Sequence, residues 1–261
     1  MIVIHGASAI SPNLLILGGT TEATALARAA DAAGVTGTVS LAGRVARPRD
    51  QALSLRIGGF GGVAGLIGYL RSQGVTHIVD ATHPFAAQMS SHAVVASAAT
   101  GVPLIALTRP AWRAEPGDRW FHVPDMAGAV AALDRERANV FLAIGRMHLA
   151  AFAVRPRHRY TLRLVETPQA PLPLPDTRVV VARGPFDIAS DMSLMRDHAI
   201  DLVVSKNAGG AGAYAKIAAA RALNLPVIMI DRPTIPPRPE ATTIAQVMDW
   251  LAHAGATERG V

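Results

Sequence analysis

The 261-residue sequence predicts an α/β protein built as two lobes of mostly parallel sheet with a cleft between them. Three observations lead there. Short apolar runs alternate with helix-length segments of about 10–15 residues, the rhythm of parallel strands joined by crossover helices. Half of the residues are hydrophobic but only 5% are aromatic, so Ala, Val, Leu and Ile must fill the interior, which suits strands buried on both faces. A stretch rich in Pro and mixed charge, RPAWRAEPGDRW at 109–120, breaks the rhythm and marks a boundary. It divides the chain into a first lobe at 1–110 and a second at 111–261.

The elements follow in order. Residues 14–17 read as a buried strand, 22–33 as its helix and 35–41 as a second strand. A strand at 74–81, a helix from about 85 to 100 and a strand at 102–108 complete the first lobe. Beyond the boundary, NVFLAIG (139–145), RVVVARG (178–184), DLVVSKNAGG (201–210) and PVIMIDRP (226–233) each read as a strand running into a loop. Segments 211–223 and 244–254 read as helices. The proline-rich 166–177 is an extended connection, since proline cannot sit within a sheet.

Composition narrows the function. The absence of cysteine excludes disulfides, thiolate catalysis and Cys-ligated metals. The histidines are dispersed without metal-ligand spacing, so no metal is expected. No apolar stretch is long enough for a membrane span. The opening MIVIHGASAISPN lacks the basic start of a secretory signal, and a cytoplasmic, monomeric enzyme is the expectation. Lys and Arg total 25 against 19 Asp and Glu, a formal charge of +6. There is no basic tract interleaved with aromatics, which argues against nucleic acid and for small anionic ligands.

The first lobe carries a dinucleotide signal. In open parallel sheets, ligands bind beyond the carboxyl ends of the strands, which makes both lobes Rossmann-like in expectation. Gly18, Gly19, Thr20 and Thr21 follow the first strand, where glycines admit a close phosphate and the next helix offers its positive end. The match to G-x-G-x-x-G/A is imperfect, with Thr20 at its third position and Ala23 at its last. An NAD site places a carboxylate near the end of the second strand. SLAGRVARPR has arginines instead, at 44, 47 and 49, and Arg44 is the best partner for a 2′-phosphate. The expected cofactor is NADPH. The loop Gly58, Gly59, Phe60, Gly61 and Gly62 would help enclose it. DATHPFA at 80–86 puts Thr82, His83 and Pro84 at another strand end, where His83 is a candidate proton donor.

The second lobe places a cation at four strand ends: Arg146, Arg183, Lys206 and Arg232. Together they indicate a substrate with several carboxylates. Ser205, Lys206 and Asn207, leading into Ala208-Gly209-Gly210, supply donors, and Tyr214 lies within reach of the same edge. Lys206 is a second catalytic candidate, able to form a Schiff base if its pKa were lowered.

LILGGTTEA, SLAGRVARPR, RIGGFGG, DATHPFA, ARGPF and VVSKNAGGAGAYAKIAAA together resemble the precorrin-6A reductase family of cobalamin biosynthesis, from Leu14 to about Leu251. The resemblance implies NADPH held mainly by the first domain and a polycarboxylated tetrapyrrole as substrate, one of whose double bonds is reduced. It implies that Gly18, Gly19, Thr20 and Thr21 bind pyrophosphate, that Arg44 meets the 2′-phosphate, and that Thr82, His83 and Pro84 border the nicotinamide. Arg183, Ser205, Lys206 and Asn207 would face the substrate. The cobalt-bearing macrocycle, a small carbonyl or imine substrate, and a non-catalytic NADPH sensor remain as alternatives.

Overall fold

In the computed structural model, residues 12–43 and 50–254 are described, and among them two parallel six-stranded sheets organise the chain. The first comprises β1 (Asn13–Leu17), β2 (Thr36–Leu41), β3 (Ser54–Ile57), β4 (His77–Asp80), β5 (Leu104–Leu107) and β12 (Glu240–Ala241). Its spatial order is β3-β2-β1-β4-β5-β12, with every neighbouring pair parallel. The second comprises β6 (Arg119–Val123), β7 (Asn139–Ala143), β8 (Arg159–Leu164), β9 (Thr177–Val181), β10 (Leu202–Lys206) and β11 (Pro226–Ile230). Its order is β9-β8-β7-β10-β11-β6, again parallel throughout. The first has the 3-2-1-4-5-6 order of a Rossmann sheet; the second keeps the same doubly wound arrangement through β9-β8-β7-β10-β11 but has β6, the first of its strands in the chain, in the sixth place.

The apolar run of β1 follows from its burial on two sides. Leu14 and Ile16 pack into one cluster with Leu26, Ala27 and Ala30 of α1 (Thr21–Ala32) and Val247 and Leu251 of α7 (Ile244–Ala254). Leu15 and Leu17 point the other way, onto Leu66 and Leu70 of α2 (Gly62–Ser72) and Ala93 and Ala96 of α3 (Ala87–Thr100). Alternate residues of one strand thus seed two cores, each buried leucine contributing about 1.5–3 kcal/mol. Helix α1 buries Ala23, Leu26, Ala27 and Ala30, the stripe of a one-sided helix.

In the second unit, α5 (Ile188–Asp197) and α6 (Ala215–Ala222) cover one face of the sheet, where Phe141, Val203, Val227 and Met229 meet Met195 and Ile217. Asp187 caps α5 by accepting the Ser190 N–H at 2.8 Å. The short α4 (Met126–Ala132) follows β6.

One boundary needs correction. The sequence division puts everything after residue 110 in the second lobe. The chain instead divides as Arg109–Pro233 against all that precedes Arg109 and follows Pro233. The reason is strand pairing. Glu240 and Ala241 pair with Ala106 and Leu107 of β5, and α7 buries Val247 and Leu251 against the first sheet. The sixth place in the second sheet is filled by β6, which begins inside the stretch that the sequence marks as an irregular boundary.

Candidate dinucleotide and anion sites

The strand order reverses between β1 and β4 in the first sheet and between β7 and β10 in the second, the places where doubly wound sheets bind ligands. At the first, the Gly18 N–H donates to Ser40 O at 2.9 Å, fixing the chain against β2. A Cβ on Gly18 would lie 3.0 Å from Val39 Cγ1 and 3.1 Å from Leu41 Cδ2. Gly19 has φ +113 and no atom within 4 Å of its would-be Cβ. It therefore leaves open space at the N-terminus of α1, whose dipole end favours an anion. These features fit a dinucleotide pyrophosphate. The Thr20 hydroxyl works within the protein. It accepts the Ala23 N–H at 3.1 Å as the helix cap and donates to Ala81 O at 2.8 Å. It thereby staples the glycine turn to the end of β4. Thr21 Oγ1 donates to Glu22 Oε2 at 3.1 Å.

Arg44, with Arg47 and Arg49, lies outside the described residues. The loop from Gly58 to Gly62 is held by a residue that sequence reasoning missed. Arg56, on β3, donates to Gly58 O at 2.6 Å, Gly59 O at 2.8 Å and Ser40 Oγ at 3.2 Å. Its guanidinium carbon sits 3.9 Å over the Phe60 ring, which in turn packs edge-on against Tyr69. The arginine at the start of RIGGFGG was the available signal. Gly58 and Gly61 adopt φ +121 and +81, which only glycine takes readily.

At the end of β4, Asp80 Oδ1 accepts from both Thr82 N, at 3.1 Å, and Thr82 Oγ1, at 2.7 Å. Its other oxygen takes Arg238 at 2.6 Å, both side chains being buried. Half-buried His83 accepts the Phe85 N–H on Nδ1 at 3.2 Å, so the neutral ring carries its proton on Nε2. Pro84, also half-buried, follows in the same turn.

The second switch point is a cage around Trp112. Asn207 Oδ1 accepts the Trp112 N–H at 2.8 Å and Nδ2 donates to Trp112 O at 3.0 Å. Asn207, expected to face the substrate, thus spends its side-chain oxygen and one amide N–H on the Trp112 backbone. Ser205 is fully buried, its hydroxyl donating to Lys206 O at 3.2 Å. Arg232 donates to Asn207 O and Ala208 O at 3.0 and 3.2 Å, holding the glycine turn rather than an exposed rim. Lys206 is half-buried, while Arg146 and Arg183 are exposed. The Tyr214 hydroxyl donates to Glu115 Oε1 at 2.7 Å and accepts from Arg221, and burial raises its pKa. Where the connections β9–α5 and β10–α6 meet, a depression of about 510 Å³ is lined by Phe186, Ile188, Ala211 and Tyr214.

Beside that cage lies Lys216, unnoticed in the sequence because it falls in an alanine-rich helix. It is buried, donates to Ala213 O at 2.7 Å and sits 4.9 Å over the Trp112 ring. Burial first, then the Arg163 cation, push its pKa down to about 7; Asp191 opposes and Arg109 adds to the shift. Arg163 and Asp191 form a buried ion pair, with the guanidinium 3.5 Å over Phe186.

Known proteins resemble this chain over nearly its whole length. The precorrin-6A reductase of Rhodobacter capsulatus is 58% identical over 248 residues, covering 95% of this chain and 99% of that protein. That of a Sinorhizobium species is 47% identical over 250 residues, covering 93% and 95%. The cobalt-precorrin-6A reductase of Priestia megaterium is 30% identical over 254 residues, covering 92% and 97%. A solved structure described as CobK precorrin-6A reductase superposes with a TM-score of 0.90 at 58% identity, covering 96% of this chain and all of that one. Residues 13–252 match the family described as precorrin-6x reductase CbiJ/CobK, and the chain belongs to that family of oxidoreductases.

Proposed function

We propose that this chain reduces one double bond of precorrin-6A with NADPH, a step of cobalamin biosynthesis. The observation that carries the reading is the open glycine turn, Gly18-Gly19, at the β1–β4 reversal of a Rossmann sheet in a chain of this family. The family's reductive chemistry calls for a nicotinamide cofactor. The choice of NADPH over NADH rests on SLAGRVARPR, which offers Arg44 and no carboxylate where the adenosine ribose is read. When bound, the cofactor supplies a hydride to an electron-poor carbon of the macrocycle, and a proton completes the reduction.

The protein's own part is placement. The backbone from Gly18 to Thr21 and the start of α1 hold the pyrophosphate. Arg56 shapes the Gly58–Gly62 loop over the neighbouring strand ends. His83, with its ring N–H on Nε2, is the candidate hydrogen-bond donor beside the nicotinamide. Arg146, Arg183 and Lys206 take the substrate's carboxylates, with Ser205, Asn207 and Tyr214 shaping the surface that presents them. Greater identity to the precorrin-6A reductases than to the cobalt-precorrin relative favours the metal-free macrocycle. No described helix is long and apolar enough to cross a membrane, and a cytoplasmic monomer remains the proposal.

An anaerobic assay with both macrocycles and both nicotinamides tests the reading. The expected outcome is NADPH consumption matched by a product heavier by two hydrogens, with the cobalt-free substrate turned over faster. Cofactor binding with both macrocycles left unchanged would end it.

A further inference from the structure

Asp80 poses an electrostatic problem for the site just described. It pairs in register with Leu17, the residue before the glycine turn, and the next residue, Ala81, accepts the Thr20 hydroxyl. A bare carboxylate beside that turn would repel a pyrophosphate bound there. The answer comes from the far end of the chain. Arg238 NH1 meets Asp80 Oδ2 at 2.6 Å, with the two side chains 8% and 1% exposed. The pair is a poor stability device. Buried ion pairs lose in desolvation much of what they gain, and the buried Arg238 Nε has no hydrogen-bond partner among the described residues, Glu240 lying 3.9 Å away. Asp80 nonetheless has a specific use, since its other oxygen fastens Thr82 by two bonds.

The geometry points to Arg238 as a positioning residue of the dinucleotide site: it cancels the charge of Asp80, so that this carboxylate can shape the Thr82–Pro84 turn without repelling the cofactor's phosphates. The assignment rests on the nicotinamide reading above. It gives the returning C-terminal segment a part in cofactor affinity beyond completing the sheet.

Charge cancellation and mere structural support differ in sign. Dissociation constants for NADPH and NADH, from fluorescence titration of the intact protein, are to be measured beside urea midpoints. Arg238→Met should weaken both cofactors by about ten-fold, because both carry the pyrophosphate. Asp80→Asn keeps an oxygen for Thr82 but turns its amide NH2 toward Arg238, so the urea midpoint should fall, while the lost negative charge leaves cofactor affinity unchanged or higher. The double variant should return to within about three-fold of the parent. Weakening by both single variants alike, or no effect of Arg238→Met, would overturn the assignment. If Arg238→Met does not fold, Asp80→Asn decides alone, weaker binding counting against the assignment and equal or tighter binding for it. A parent protein that binds neither nicotinamide would instead sink the cofactor reading itself.

Discussion

Asn207 holds Trp112 by both polar groups of its backbone, the Trp112 N–H at 2.8 Å and its carbonyl at 3.0 Å, across 95 residues of sequence. Both partners are buried, and the Trp112 indole adds a bond of 2.7 Å to Gly210 O. The end of β10 and the entry into the second unit are therefore one structure. Arg232 secures the same turn by donating to the carbonyls of Asn207 and Ala208.

Asn207→Ala should consequently be a stability variant before it is an activity variant. It leaves a buried N–H and a buried C=O unpaired, at about 1–3 kcal/mol each. Urea unfolding should show a loss of about 2–5 kcal/mol. A loss under about 1 kcal/mol, with macrocycle affinity reduced, would restore the substrate-donor role for Asn207.

Gly19→Ala separates backbone strain from ligand access. At φ +113 an alanine is strained by about 1–3 kcal/mol, yet it touches no protein atom. Gly34, with φ +70 and equally open surroundings after α1, provides the control away from the switch point. Both alanine variants should lower the thermal midpoint, but only Gly19→Ala should weaken NADPH, by about ten-fold or more. Equal cofactor affinities in the two variants would remove Gly19 from the phosphate site.

How much of the sheet was legible in the sequence depended on unbroken apolar runs. Strands β1, β4, β5, β7, β10 and β11 are central or nearly so, and their apolar runs announced them. Strands without such a run did not announce themselves: the edge strands β3, SLRI, and β6, RWFHV, and the interior β8, RYTLRL, went unread, whereas the edge strand β9 was announced by RVVV. The glycine turns at 18–19 and 58–62 were readable because glycine has few other reasons to cluster at a strand end. Partnerships over long sequence distance were not readable, since nothing local in Arg238 names Asp80, nor in Asn207 names Trp112. The return of the last segment to the first sheet was invisible for the same reason, because β12 is only Glu240–Ala241. The strand-end cations were easy to count, but whether each faces a ligand or latches a loop is decided by three-dimensional neighbours.

Arg44→Ala tests cofactor choice. Arg44 follows Gly43 directly after the second strand, where a 2′-phosphate is read in NADPH-dependent sheets of this order. Loss of a charge-assisted contact of about 1.5–3 kcal/mol should weaken NADPH by about 10–100-fold while NADH changes little. Equal losses for the two cofactors would argue against a 2′-phosphate contact.

Lys216 sets a pH dependence with a definite sign. Burial and the neighbouring Arg163 lower its pKa from 10.5 to about 7 in the folded protein. Between those values the unfolded chain holds a proton that the folded chain lacks, so stability must rise with pH across this window. Below about pH 7 both forms are protonated and the burial penalty is fully present. The wild-type slope from this group is at most about 1.4 kcal/mol per pH unit. Lys216→Met fills similar space without a charge. It also loses the bond to Ala213 O, a change that offsets its stability by the same amount at every pH. The difference in unfolding free energy between the two proteins should therefore shift steadily in favour of the wild type as pH rises from 7 to 9. Urea titrations across that range measure it directly. A flat difference would show that Lys216 keeps an ordinary pKa, and with it a full third cation beside Arg163 and Arg109, instead of an amine that gives up its proton near pH 7.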